Sequence, residues 1–195
     1  MKGTKLLETE RLILRKFKIS DAAGMYKNWG SDKKVNKYLE WQTHKNVEDS
    51  KNIIKLWIQE YKKGAYNWVV ELKETRDVIG SITGVHVYEK ENYVEVGYCY
   101  GSKYWGNGYA TEALKRVIEY FLMDCNMNLV EAKYISGNPK SGMVMKRAGM
   151  KMEAILNERM INKYTNKLDD LIIYSITQKE YKKGWYYGEI LSRKS

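Results

Sequence analysis

Proline occurs once in the 195 residues, cysteine twice and histidine twice. Each scarcity removes a class of protein. With Pro139 alone, no glycine/serine-rich or low-complexity stretch and no repeat at a solenoid period, nothing marks a linker, and the length reads as one domain with 44% hydrophobic residues to fill its core. Cys99 and Cys125 stand in unlike contexts, with no CxxC and no Cys/His cluster. A disulfide framework or metal site is therefore without support, and a reducing cytoplasm fits. No window approaches the ~20 apolar residues of a membrane span. Met1-Lys2-Gly3-Thr4-Lys5 leads into alternating charged and apolar residues rather than an apolar leader, and Lys2 excludes N-myristoylation.

What is plentiful is positive charge. The 34 basic and 24 acidic residues leave +10, a field that favours anionic partners such as nucleic acid, a phosphorylated cofactor or an acidic protein. No run of five or six consecutive Lys/Arg occurs, so there is no basic tail of the kind that grips nucleic acid. Basic residues spread over a solvated surface account for the charge equally well.

Glu10–Arg15 alternates as a first strand, with Leu12 and Leu14 on one face and Arg11 and Arg15 on the other. Ser20 reads as an N-cap before Asp21-Ala22-Ala23, with a short helix or two reaching about Tyr38. Asn46 caps a longer helix that carries Asp49 in its first turn and Ile53, Ile54, Trp57, Ile58 and Tyr61 at helical spacing, until Gly64 stops it. Tyr66–Leu72, Val78–Tyr88 and Tyr93–Tyr100 are strand-like, and their short connections imply an antiparallel meander. Ala110, Leu114, Val117, Ile118 and Phe121 mark a helix from about Gly108 to Asp124. A strand at Leu129–Ile135, a helix from Pro139 to near Gly149, and a closing hairpin of Met152–Ile161 and Asp170–Thr177 complete the chain. The expected fold class is α/β (α+β): a mixed, largely antiparallel sheet of about seven strands with flanking helices.

The most informative segment is Tyr104-Trp105-Gly106-Asn107-Gly108-Tyr109-Ala110-Thr111, a glycine turn joining a strand directly to a helix. Exposed N–H groups at a helix N-terminus carry partial positive charge, and glycines let backbone approach phosphate oxygens closely. A Walker A loop requires GK[ST] where this chain has Tyr109-Ala110, and the dinucleotide fingerprint requires Gly or Ala where it has Thr111, within an all-parallel setting that the meander contradicts.

Trp105-Gly106-Asn107-Gly108-Tyr109-Ala110 instead resembles the pyrophosphate loop of the GNAT superfamily of N-acetyltransferases, with Trp in place of the usual Arg or Gln. That Trp, followed by Gly-x-Gly-Tyr-Ala-Thr-Glu-Ala, is similar to the RimJ/RimL-like branch that acetylates ribosomal-protein N-termini. Leu7–Arg15, Val78–Ile82, Val94–Tyr98, Asn138–Ser141 and Ala148–Met150 agree in order and spacing, so the resemblance spans the chain up to about Thr177.

The resemblance implies acetyl-CoA as cofactor and acetyl transfer to a primary amine by direct attack. It places the pyrophosphate on the amides of Gly106, Asn107, Gly108, Tyr109, Ala110 and Thr111, beside Trp105. Tyr98-Cys99-Tyr100 would splay from the neighbouring strand and pair with the pantetheine arm, an N–H near Cys99 or Tyr100 polarising the carbonyl. Asn138 would contact the cofactor, and Ser141 would donate to the departing sulfur. Glu95, on the same strand, is the candidate base acting through a water, although an amine of pKa near 8 to 10 needs only modest help. Cys99 reads as a packing residue, since no His or cation is near it in sequence to form a thiolate. Tyr134 and Tyr174 are fallback proton donors, and no metal set is present.

The acceptor reads as a peptide or protein N-terminus, ribosomal in type, because a +10 chain repels polycations such as aminoglycosides and polyamines at long range; the alternative is such a small-molecule amine, recruited by a local acidic pocket including Glu40 or Glu95. Monomer and homodimer are both open. Rival readings are a CoA-binding regulator without turnover and a basic RNA-associated module, hinted at by Lys62-Lys63, Lys182-Lys183 and Trp185-Tyr186-Tyr187.

Overall fold

Leu12 and Leu14 are fully buried while Arg15 on the opposite face is only partly so, as the alternation requires. The computed structural model describes residues 2–39, 41–163 and 165–184. Among them, eight strands form one sheet: β1 (Leu7–Glu8), β2 (Leu12–Arg15), β3 (Asn67–Leu72), β4 (Val78–Tyr88), β5 (Tyr93–Tyr100), β6 (Leu129–Ile135), β7 (Lys151–Asn162) and β8 (Lys167–Thr177). The order is β1-β2-β3-β4-β5-β6-β8-β7. Every pairing is antiparallel except β5 with β6, whose connection carries a helix across the sheet. The short β1 is the strand beyond the expected seven, and β8 inserts between β6 and its hairpin partner β7.

Helices cover both faces. On one, α4 (Tyr109–Glu119), a π turn (Tyr120–Asp124) and α5 (Pro139–Arg147) enclose Trp68, Val70, Val94, Val96, Leu114, Ile118 and Phe121. On the other, α1 (Ala22–Met25), α2 (Lys33–Asn36) and α3 (Val47–Glu60) bring Met25, Trp29, Val35 and Ile54 to Val69 and Val78. Trp68 and Val70 thus belong to one core and Val69 to the other, which is why β3 is unbroken apolar sequence there rather than alternating. Each such side chain contributes roughly 1.5–3 kcal/mol of burial.

Asn46 caps α3 as expected, its Oδ1 accepting the Asp49 N–H at 3.0 Å. Ser20 does not cap. The neighbouring Asp21 carboxylate accepts from the Lys18 N–H at 2.7 Å and from Arg15 Nη1 and Nη2 at 2.8 Å each, and Arg15 Nε reaches Glu71 at 2.7 Å. A half-buried guanidinium needs charged partners, and that need places Asp21 inside the turn.

Candidate active site

β5 and β6 pair only from Tyr93 with Leu129 to Val96 with Ala132. Beyond that point β5 stays on β4 as far as Tyr100, while β6 stays on β8 as far as Ile135. The strands part, and among the described residues no strand pairs the inner edge of Gly97–Tyr100. Gly101 N–H bonds the Ile79 carbonyl at 3.0 Å, so by antiparallel alternation Gly97 and Cys99 turn their amides to β4, and Tyr98 and Tyr100 turn theirs to the gap. Of Cys99 and Tyr100, it is Tyr100 whose N–H is presented. Its carbonyl, on the same edge, accepts the Trp105 indole N–H at 2.8 Å.

The end of β5 is held against the helical layer. Asn28 Nδ2 donates to the Val78 carbonyl at 2.7 Å, and the Asn28 carbonyl lies so close to Gly101 that a Cβ there would stand 2.1 Å from it. No side chain other than hydrogen fits.

The glycine turn follows. Gly106 (φ 83°) and Gly108 (φ 80°) occupy the left-handed region that glycine alone enters cheaply. A Cβ at Gly106 would meet nothing within 4 Å, and one at Gly108 would meet only Arg11 Nη2 at 3.5 Å, so the loop is open around both glycines. α4 begins at Tyr109, and its first intrahelical bond is Glu112 N–H to the Gly108 carbonyl at 3.0 Å. The amides of Tyr109, Ala110 and Thr111 therefore have no intrahelical acceptor, the condition for binding an anion.

A clamp fixes this turn. Arg11 Nε donates to Glu112 at 2.7 Å and Nη1 to the Asn107 carbonyl at 3.1 Å, with the guanidinium 4.7 Å over the Tyr109 ring. Glu112 also accepts from Thr9 Oγ1 at 2.5 Å and Arg11 N–H at 3.0 Å. Burial alone would raise the Glu112 pKa, but the Thr9 and Arg11 donors outweigh it and hold the carboxyl below its ordinary value. Thr9, Arg11 and Glu112 lie in the segments that carry the resemblance, yet no local pattern marks them as partners. Only the pairing of β2 beside α4 brings residues 9–11 to residue 112.

Side-chain alternation divides the candidate catalytic residues between faces. Val94, Val96, Tyr98 and Tyr100 point to the α4/α5 side, whereas Glu95 and Cys99 point to the other. Glu95 and Ser141 thus flank the gap from opposite faces rather than sharing one. Glu95 Oε2 is 2.8 Å from Lys133 Nζ, which is also 3.0 Å from Glu131. Burial works to lower the Lys133 pKa, but hydrogen bonds to the two carboxylates raise it well above the ordinary lysine value. The candidate base is therefore ion-paired, not a solvated strand carboxylate.

Ser141, in the first turn of α5, meets Tyr98 Oη at 2.9 Å through both its Oγ and its carbonyl. Burial pushes the Tyr98 phenol far above the ordinary tyrosine value, with the Ser141 bond opposing. Asn138 is the α5 N-cap residue but makes no side-chain cap bond, leaving its amide for other use. Lys140 Nζ lies 5.4 Å over the Trp105 ring, which brings the start of α5 beside the glycine turn. Burial raises the pKa of Cys99, against a 3.3 Å contact with Ser81, in keeping with a packing residue. Tyr134 packs on Gly142, where a Cβ would fall 2.5 Å from its ring, and lies 6.1 Å from Tyr174. His44 bonds Ser50 at 2.7 Å. Glu40, Trp185, Tyr186 and Tyr187 lie outside the described residues.

An open strand edge at a parallel seam, leading into a glycine turn and an unsatisfied helix N-terminus, defines a protein built to hold an extended ligand that carries an anionic group. The chain belongs to the GNAT acetyltransferases: residues 11–151 match the family model of the acetyltransferase (GNAT) domain. It is 32% identical over 177 residues to an uncharacterized N-acetyltransferase, p20, of Bacillus licheniformis, covering 90% of this chain and 97% of the relative. The crystal structure of a GNAT-family acetyltransferase from Bacillus anthracis superposes with a TM-score of 0.78 at 27% identity, covering 90% of this chain and all of that one. Two more distant structures share the fold. They are the ribosomal-protein-S5-alanine acetyltransferase of Vibrio fischeri (TM-score 0.77, 22% identity, 89% and 97% covered) and the spermidine N-acetyltransferase of Vibrio cholerae (0.75, 17%, 89% and 99%). The chain is accordingly an acyltransferase enzyme that uses acetyl-CoA.

Proposed function

We propose that the chain acetylates the α-amine at a peptide or protein N-terminus by direct attack on acetyl-CoA in a ternary complex. The observation that carries the transfer reading is the unpaired inner edge of Gly97–Tyr100, with the open glycine turn beyond it. Acetyl-CoA supplies the activated acetyl group when bound. The amides from Gly106 to Thr111 would hold its pyrophosphate, Asn138 would contact it, and the backbone of Tyr98 and Tyr100 would pair with its extended arm. The Tyr100 N–H would polarise the thioester carbonyl. Glu95 would take a proton from the acceptor ammonium through a water, freeing the amine to attack, and Ser141 Oγ would give one to the departing sulfur.

The charge of +10 and the branch resemblance support a neutral or acidic peptide over a polycation. A second reading, a polyamine acceptor, draws support from Glu95 and Glu131 together on the face away from the glycine turn. The test is kcat/KM for an acidic peptide with a free α-amine and for a polyamine, each at low and moderate salt. The peptide should be favoured, and its advantage should shrink as salt screens the attraction over ~8–10 Å. Faster turnover of the polyamine at both salt levels would overturn the peptide reading.

A further inference from the structure

We propose that Tyr98 is a positioning residue that aims the Ser141 hydroxyl into the gap between β5 and β6. The inference rests on the reading of Ser141 as proton donor. Tyr98 lies on β5 and Ser141 on α5, the helix that follows β6, so their contact ties β5 to α5 just past the point where β5 and β6 part.

Hydrogen counting gives the mechanism. Tyr98 Oη is 2.9 Å from both the carbonyl and the Oγ of Ser141. A carbonyl only accepts, and a phenol has one hydrogen to give. In one arrangement Tyr98 donates to the carbonyl, and the Ser141 hydrogen points back at Tyr98 and is unavailable. In the other, Tyr98 donates to Oγ, which frees the Ser141 hydrogen to point into the gap. Rotation of two O–H bonds interconverts them without net ionisation, and the buried phenol keeps its proton. As the carbon–sulfur bond breaks, the Ser141 proton passes to sulfur and forms the thiol. The Tyr98 hydrogen bond then stabilises negative charge developing on Oγ, which regains a proton from water before the next turnover.

Without the phenol, the Ser141 hydroxyl has a nearby competitor. Ser141 N–H already bonds the Asn138 carbonyl at 3.1 Å, and a serine hydroxyl in a first helical turn bonds back to such carbonyls readily. That orientation points the hydrogen along the helix, away from the gap.

The experiment is a double-mutant cycle of Tyr98→Phe and Ser141→Ala, reading kcat, acetyl-CoA affinity and melting temperature. Each single variant should lower kcat about 10-fold or more with acetyl-CoA affinity unchanged, and the double variant should be no slower than Ser141→Ala alone. A slow Ser141→Ala with a wild-type Tyr98→Phe overturns the role of Tyr98 and leaves that of Ser141 standing. A Ser141→Ala enzyme with wild-type kcat removes both. Equal effects of Tyr98→Phe in the presence and absence of Ser141 would mean that the phenol acts by packing, which also overturns the proposal. If Tyr98→Phe does not fold, 3-fluorotyrosine at position 98 acidifies the phenol with little change of shape. It should alter kcat only when Ser141 is present, and an unchanged kcat overturns the proposal.

Discussion

Glu95 Oε2 and Lys133 Nζ meet at 2.8 Å on the face of the sheet away from the glycine turn, one residue before β5 and β6 part. Glu131 holds the other side of the same ammonium at 3.0 Å. The triad carries two carboxylates and one cation, so it leaves one negative charge at the seam. If Glu95 is the base, Glu95→Gln should lower kcat by about 10²-fold at neutral pH, leave acetyl-CoA affinity alone, and lose its effect as rising pH deprotonates the amine unaided. Lys133→Met removes the cation that holds the Glu95 carboxylate in place, so kcat should fall in the same direction with acetyl-CoA affinity unchanged. A wild-type kcat in a folded Lys133→Met enzyme would separate the triad from catalysis.

Gly108→Val should block acetyl-CoA binding in calorimetry while the protein remains folded. The reason differs from a simple clash, because a Cβ at Gly108 meets only the end of Arg11. A β-branched residue at φ 80° is strained, and relief of that strain swings the amides of the turn out of alignment. Unchanged affinity would remove the turn from the cofactor site.

Much of this site was legible because its signals are local. The glycine turn, the Asn46 cap and the strand runs depend on residues close in sequence, and their expected bounds fall within a few residues of those found. The resemblance supplied the parting of β5, for which no local signal exists. What stayed hidden are contacts across the fold: Arg11 with Glu112, Glu95 with Lys133, and Tyr98 with Ser141 are separated by 101, 38 and 43 positions. A register is needed to see them. Ser20 was misread as a cap because nothing in the sequence says that Arg15 will be half-buried and in need of Asp21. Likewise, Glu95 and Ser141 could be named as a pair, but only the alternation along β5 sets them on opposite faces.

The Arg11–Glu112 clamp gives a pH prediction with a definite sign. The folded-state pKa of Glu112 is depressed below its ordinary 4.5, so its contribution is present above that value and lost as pH falls through the folded value. With Arg11 45% exposed, the clamp contributes only about 1–2 kcal/mol, or a melting shift of roughly 2–8 °C at this size. Glu112→Gln should melt lower than wild type at pH 7 by that margin and bind acetyl-CoA more weakly. The two melting temperatures should converge as pH falls below the ordinary carboxyl range. A constant difference down to strong acid would show that Glu112 acts through shape rather than charge.

Gly101→Ala tests how the end of β5 is held. The added Cβ would stand 2.1 Å from the Asn28 carbonyl oxygen and 3.2 Å from the Tyr104 ring, and a backbone atom cannot rotate away as a side chain can. Either β5 or the π turn at Tyr26–Gly30 must shift, and the Asn28 bond to Val78 links the π turn to the start of β4. Overpacking of this kind costs about 1–3 kcal/mol, so the melting temperature should drop by several degrees. Because Tyr100 is the preceding residue, its N–H and its bond to Trp105 should move with Gly101, and acetyl-CoA affinity should fall in the same variant. Gly106→Ala is the control: its Cβ meets nothing within 4 Å, and only the cost of alanine at positive φ, roughly 1 kcal/mol, applies. If Gly101→Ala melts no lower than Gly106→Ala, the close approach to Asn28 does not fix the strand end, and some other contact must hold β5 away from β6.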